Sequence, residues 1–381
     1  MTWETRVVGL GLGLGLGLGL GLVGCRELPD GHGDGAGSGA PTASAPVSTK
    51  IMYPSAPGSF VELVDNARHG VVAIHAARPV KSGPAAMFPG APETLADVAL
   101  GTGFLVESQG VYVLTNEHVA SASPELRVVL EGGAEVPARV IGRDVRLDLA
   151  LLVLDPPTGS PVVVTRLRGL PLGDSDDLRV GEWLVVLGDP FGDAVSASAG
   201  IVSGTGREGA GSLVPGRAMG FRTFLQTDAR ITRGNSGGPV IDTAGQVVGV
   251  AVATGDRLGE VSFAIPSNRV REVIGQLRTT GDVSHSWLGA LVKPVTADQA
   301  ANLGLPKTSG ALITEIKAGS PAARAGLRGG DVILRWANRE VDDRSLPWLV
   351  ASTPPGQGVD LGVWRDRGEM TIAIVTEKMP E

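Results

Sequence analysis

Three stretches of the chain carry side chains that fit together as nucleophile, base and orienting acid. Gly234-Asn235-Ser236-Gly237-Gly238-Pro239 sets one serine among glycines. Glycine permits the tight, left-handed backbone that presents a hydroxyl outward and lets neighbouring N–H groups converge on one point. A serine hydroxyl is a weak nucleophile, so it needs a base within hydrogen-bond reach, and the base needs a group that orients it. The sequence holds five histidines: His32, His69, His75, His118 and His285. His118 follows the apolar run Val113-Leu114-Thr115, where a chain leaving a strand can present it. The others fall in a Gly-rich stretch (His32), beside a strand (His69 and His75) and in a polar joint (His285). Asp148 stands in Arg146-Leu147-Asp148-Leu149-Ala150-Leu151-Leu152, where a carboxylate entering so apolar a strand is costly to bury unless paired. Each residue alone has a bland alternative: a serine in a glycine turn, a structural histidine, a turn aspartate. The order His118, Asp148, Ser236 is what sets the combination apart.

The elements that must position them read as β structure. Phe60–Val64 fits a short helix. Strand patterns follow at 70–74, 103–106, 111–115, 126–130, 138–141, 150–154, 183–187, 199–203, 224–227, 239–242 and 246–253, and a helical pattern runs over 268–277. Strands at this spacing, parted by Gly, Asp and Pro turns with little helix between, predict antiparallel barrels or sandwiches rather than βαβ units. Residues 278–288 read as a polar joint. Beyond it, Ser320-Pro321-Ala322-Ala323-Arg324-Ala325-Gly326 predicts a short helix with a serine cap, proline at the first turn and glycine after the last. Strand patterns at 332–336 and 359–364 and a turn at Asp366-Arg367-Gly368 complete that module.

Composition removes several function classes. A net charge of -7 argues against a nucleic-acid-binding surface. One cysteine rules out an intramolecular disulfide and any Cys-rich metal site. No phosphate loop of the GxxxxGK[ST] type and no carboxylate–histidine cluster is present, so the reading calls for no cofactor and no metal. That single residue, Cys25, ends an uncharged stretch over Val7–Val23 dominated by Gly-Leu pairs. The stretch is too short and too glycine-rich for a spanning helix and suits a secretory signal. Leu22-Val23-Gly24-Cys25 resembles the lipobox of bacterial lipoproteins, which implies lipidation at Cys25 after cleavage of residues 1–24. A plain signal peptide is the alternative. Arg26 after the cysteine leans towards the outer membrane. Residues 25–58, rich in Gly, Ala, Ser and Pro, read as a disordered tether.

The His…Asp…Ser order is that of chymotrypsin-like proteases, not of subtilisins or α/β-hydrolases. With GTGFLVESQGVYVLTNEHVA, RLDLALLVL, LQTDARITRGNSGGPVID and FAIPSN, the chain resembles the HtrA (Deg) family of serine endopeptidases over about residues 59–378. The resemblance implies a mainly β fold: a trypsin-like double six-stranded β-barrel over 59–278, then a small α+β PDZ domain over 283–378. It implies a catalytic triad of His118, Asp148 and Ser236, and an oxyanion hole at Gly234, Asn235 and Ser236. Arg230 and Thr232 would lie by the substrate pocket. They depart from the small residue and the Asn usual there, leaving acidic and small aliphatic P1 residues as alternatives. Trp287-Leu288-Gly289-Ala290 matches a PDZ carboxylate-binding loop, whose amides receive a peptide C-terminus while the peptide adds a strand. The implied function is ATP-independent cleavage of unfolded or misfolded proteins by a homotrimer lipid-anchored in the bacterial periplasm. A chaperone or peptide sensor that holds clients without cutting them is the reading from another class. Gly-rich stretches at 207–220 and 254–260 are the expected regulatory loops.

Overall fold

The structure is a computed structural model that describes residues 57–380 apart from 82–92, 161, 163, 191–192, 208–223, 233 and 253–260. The expected signal, Cys25, most of the tether, residues 208–220 of one Gly-rich loop and all of the other at 254–260 lie outside the described residues. Among the described residues no helix is long and apolar enough to cross a membrane.

After helix α1 (Val61–Ala67), six strands close the first barrel: β1 (Val71–Lys81), β2 (Glu93–Glu107), β3 (Val111–Thr115), β4 (Leu126–Val129), β5 (Glu135–Asp144) and β6 (Leu149–Leu154). Their order around the barrel is β1-β2-β3-β6-β5-β4. Helix α2 (Glu117–Ala120) interrupts the path between β3 and β4. The second barrel closes as β10-β11-β12-β9-β8-β7. Its strands are β7 (Trp183–Gly188), β8 (Ser196–Arg207), β9 (Phe224–Thr227), β10 (Pro239–Ile241), β11 (Val247–Val252) and β12 (Ser262–Pro266). Helix α3 (Ser267–Thr279) follows and buries Val270, Val273, Ile274 and Leu277, the one-face spacing of an amphipathic helix.

The barrels are read from alternation on strands that are buried on both faces. In β6, Leu149 and Leu151 face a core shared with the second barrel and α3, while Ala150, Leu152 and Leu154 fill the interior of the first. β11 also feeds both cores, Val247, Val250 and Val252 the shared one and Val248 and Ala251 the barrel interior, with a register shift against β10 breaking its alternation. Because side chains alternate with period two, a one-residue slip would exchange the two sets, so register is strongly fixed. The pairs Phe104↔Leu114 and Leu105↔Val113 show it, one feeding each core.

The C-terminal module contains β13 (Ser286–Trp287), β14 (Ala290–Pro294), α4 (Ala297–Leu303), β15 (Ala311–Ile316), α5 (Pro321–Arg324), β16 (Val332–Trp336), β17 (Arg339–Glu340), α6 (Ser345–Ser352), β18 (Gly358–Arg365), β19 (Gly368–Val375) and β20 (Glu377–Lys378). The main sheet runs β14-β15-β16-β18-β19, with β17 hung on β16. Ser320 Oγ accepts from Ala323 N, as its sequence position predicts. Thr296 and Gln299 form a capping box on α4. Asp366 and Arg367, at φ 51° and 64°, make the tight β18–β19 turn.

The polar joint expected at 278–288 is a correction. Val283, His285, Ser286 and Leu288 are buried. Ser286 and Trp287 pair with Lys378 and Glu377, so the first and last strands of the module close on each other. The barrels and this module belong to one unit, Pro57–Glu381.

Candidate active site

His118, Asp148 and Ser236 arise from three separate connections. His118 lies in α2, where β3 leaves the first barrel, and Asp148 at the end of the β5–β6 turn. Ser236 lies between β9 and β10 of the second barrel. Asp148 adopts the left-handed conformation, φ 61°, and its side chain is 1% exposed. Its two carboxylate oxygens both face His118: Oδ2 stands 2.8 Å from the ring Nδ1, and Oδ1 accepts the His118 backbone N–H at 3.0 Å. A carboxylate only accepts, so Nδ1 carries the proton and Nε2 is left as the basic nitrogen. The Asp148 carbonyl accepts from Glu117 N at 3.1 Å and Asn116 Nδ2 at 3.0 Å, which ties the turn to α2.

The Ser236 loop is brought to this pair by its glycines. A Cβ on Gly237, at φ 84°, would stand 2.2 Å from Thr115 Oγ1 and 2.9 Å from Asn116 N, the residues just before His118's helix. Ser236 is buried, and its carbonyl accepts from Thr102 N at 2.9 Å. The Thr102 hydroxyl donates to Gly234 O at 2.6 Å and accepts from Asp189 N at 2.9 Å, while its carbonyl accepts from Thr115 Oγ1 at 2.7 Å. Thr102 therefore fastens the Ser236 loop of one barrel to the other. Nothing local in the sequence marks it: a threonine between two glycines in a strand looks like ordinary β structure, and only its full burial sets it apart.

Other expected residues fall as follows. The Asn235 N–H is committed to Thr232 O at 3.1 Å, so Asn235 shapes the loop rather than donating from it. Arg230 and Thr232 are exposed, and the Arg230 N–H binds Ser198 Oγ at 2.8 Å. In the C-terminal module, Leu288 is buried and Trp287, Gly289 and Ala290 half-buried, leading into β14 at the sheet edge. Gly289 O accepts from Lys317 N at 2.8 Å, and Leu288 O from Ala322 N at 2.9 Å. A Cβ on Gly289 would lie 2.2 Å from Ser320 Cβ, so the approach of α5 requires glycine here. Among the described residues no group of three His, Cys, Asp or Glu side chains is placed to hold a metal ion.

Comparison with known proteins bears on this geometry. The trypsin-like peptidase domain family matches residues 101–250 and the PDZ domain family residues 287–376. Among solved structures, an HtrA-type protease, AlgW with decapeptide, shares 32% identity at a TM-score of 0.65, covering 85% of this chain and 99% of that one. The chain belongs to the HtrA-type serine proteases. A serine endoprotease from Yersinia pestis shares the fold at 25% identity and a TM-score of 0.56, over 86% of this chain and 100% of its own. Among curated relatives, a probable periplasmic serine endoprotease DegP-like of Bartonella henselae is 40% identical over 292 residues, 75% of this chain and 55% of that protein. Its Brucella suis counterpart is 39% identical over 289 residues, 74% and 53% respectively. The chain thus spans a little over half the length of these curated relatives.

Proposed function

We propose that this HtrA-type chain is a serine endopeptidase that cleaves unfolded or misfolded proteins without ATP, using His118, Asp148 and Ser236. The observation that carries this reading is the two-oxygen grip of Asp148 on His118, 2.8 and 3.0 Å, beside the buried Ser236 loop. Ser236 Oγ attacks the scissile carbonyl carbon as His118 Nε2 takes its proton. The Gly234 and Ser236 N–H groups hold the oxyanion. Collapse breaks the C–N bond, and His118 returns the proton to the leaving amine. Water, deprotonated by His118, then releases the acyl group as a carboxylic acid, restoring Ser236. Asp148 fixes the tautomer throughout and stabilises the imidazolium.

The protease part runs over 59–278 and the PDZ part over 283–378, with Trp287-Leu288-Gly289-Ala290 receiving a peptide C-terminus whose chain extends the β14 edge. A solved relative described with a decapeptide supports a peptide ligand. The relatives named periplasmic support a periplasmic site of action. We assign residues 1–24 as a lipoprotein signal, 25–58 as a tether and Cys25 as the lipid anchor to the outer membrane, and the oligomer as a homotrimer. Unfolded casein tests the reading. Wild type is expected to degrade it and Ser236→Ala to leave it intact. Equal inertness of both, with aggregation still suppressed, would favour a holdase instead. The new termini of the fragments read the pocket at Arg230 and Thr232: acidic P1 residues mean that Arg230 selects, and only Val, Ala or Ile mean that it does not.

A further inference from the structure

The buried segment before β13 holds a histidine that the triad does not use. His285 is buried, and its Nε2 stands 2.8 Å from Asp144 Oδ2, with side-chain exposures of 4% and 1%. The carboxylate accepts only, so Nε2 carries the proton and donates. Asp144 is the last residue of β5, and its pairing with Leu149 makes residues 145–148 the β5–β6 turn. The other Asp144 oxygen, Oδ1, accepts the N–H groups of Arg146 and Leu147, both at 3.0 Å. One carboxylate therefore shapes the turn with one oxygen and is held by His285 with the other. The turn ends at Asp148, whose left-handed backbone aims both carboxylate oxygens at His118.

The far side of His285 belongs to the PDZ module. Its carbonyl accepts from Met379 N at 2.8 Å, and its ring meets Trp348 of α6 edge-on at 6.3 Å. The Arg269 guanidinium of α3 covers the Trp348 ring at 4.3 Å. The same turn is gripped a second time from the C-terminal end, where Arg146 Nη2 donates to Pro380 O at 2.8 Å. Two residues after His285 comes Trp287, the start of the peptide-binding loop.

We propose that His285 is a positioning residue: through Asp144 it fixes the turn that presents Asp148 to His118, and so joins the PDZ module to the reaction centre. The inference rests on the triad reading above. Losing the Nε2–H leaves a buried carboxylate short of a donor, and the turn is the part that can shift to find one. Small displacements of an orienting group reduce turnover more than they reduce binding.

The test compares His285→Leu, His285→Gln and His285→Asn with wild type, using a peptide substrate and active sites counted by fluorophosphonate titration. Gln carries an N–H at the reach of Nε2, and Asn does not. Expected are a kcat about 10- to 100-fold lower for His285→Leu and His285→Asn, a KM within about twofold of wild type, and recovery of most of kcat in His285→Gln. The low-field resonance of the His118 Nδ1 proton should shift in Leu and Asn and return in Gln. Should His285→Leu not fold, the Gln–Asn pair decides alone. Wild-type kcat per active site in His285→Asn would overturn the proposal, even with lowered thermal stability. Cleavage that persists in Ser236→Ala would instead overturn the triad reading, and this proposal with it.

Discussion

Replacing Asp148 by Asn is expected to lower kcat by about 10⁴-fold while the protein stays folded. The effect follows from the geometry of two hydrogen bonds. One carboxylate oxygen accepts the His118 backbone N–H at 3.0 Å, and the other faces Nδ1 at 2.8 Å. A backbone N–H can only donate, so the amide of the substituted side chain must turn its oxygen towards it. The amide NH₂ then faces Nδ1, which has to become an acceptor. The ring proton moves to Nε2, where the base is needed, and His118 can no longer take a proton from Ser236. The side chain keeps its shape, so stability should change little, and KM should remain near wild type. Steady-state kinetics with urea unfolding of the same preparation checks both halves. A loss of less than about tenfold in kcat would show that Asp148 does not set the tautomer.

The second large effect is expected of Gly237→Ala. Gly237 has φ 84°, and a Cβ there would lie 2.2 Å from Thr115 Oγ1 and 2.3 Å from Thr102 O. The left-handed conformation costs a side-chain-bearing residue about 1–2 kcal/mol. Forcing a methyl into a packed site adds about 1–3 kcal/mol. A stability loss of about 2–5 kcal/mol is expected, with a fall in activity in whatever remains folded, since the displaced strand end carries the next residues to His118. Gly132 is the control: φ is 86°, but nothing lies within 4 Å of its Cβ position, so Gly132→Ala should lose only the conformational part. Equal midpoints in urea for the two variants would show that the close approach at Gly237 has no energetic weight.

The barrels were legible because alternation and turn residues are local signals, and strands such as Val111–Thr115 and Phe224–Thr227 need no knowledge of their partners. The string GNSGGPV and the strand-end positions of His118 and Asp148 were legible for the same reason: their chemistry is written in the few residues around them. Thr102, His285 and Asp144 were not. Each is polar, and polarity in sequence reads as exposure. Each is buried because its partners lie far along the chain: Gly234 is 132 residues from Thr102, and His285 is 141 from Asp144. Thr102 was hidden in a strand and His285 in an apparent linker. Satisfied burial is a property of pairs, and hydropathy is counted one residue at a time. Strand β12 was missed because its five residues are short and end in Pro266, although all five are buried between β11 and β9.

In the proposed mechanism Ser236 is the nucleophile that His118 and Asp148 activate. A fluorophosphonate reagent followed by peptide mass mapping tests it directly. The expected result is one adduct per chain, on the peptide carrying Ser236, slowed in Asp148→Asn and absent in Ser236→Ala. Casein cleavage by a protein that takes no adduct at Ser236, or takes it on another residue, would show that Ser236 is not the nucleophile.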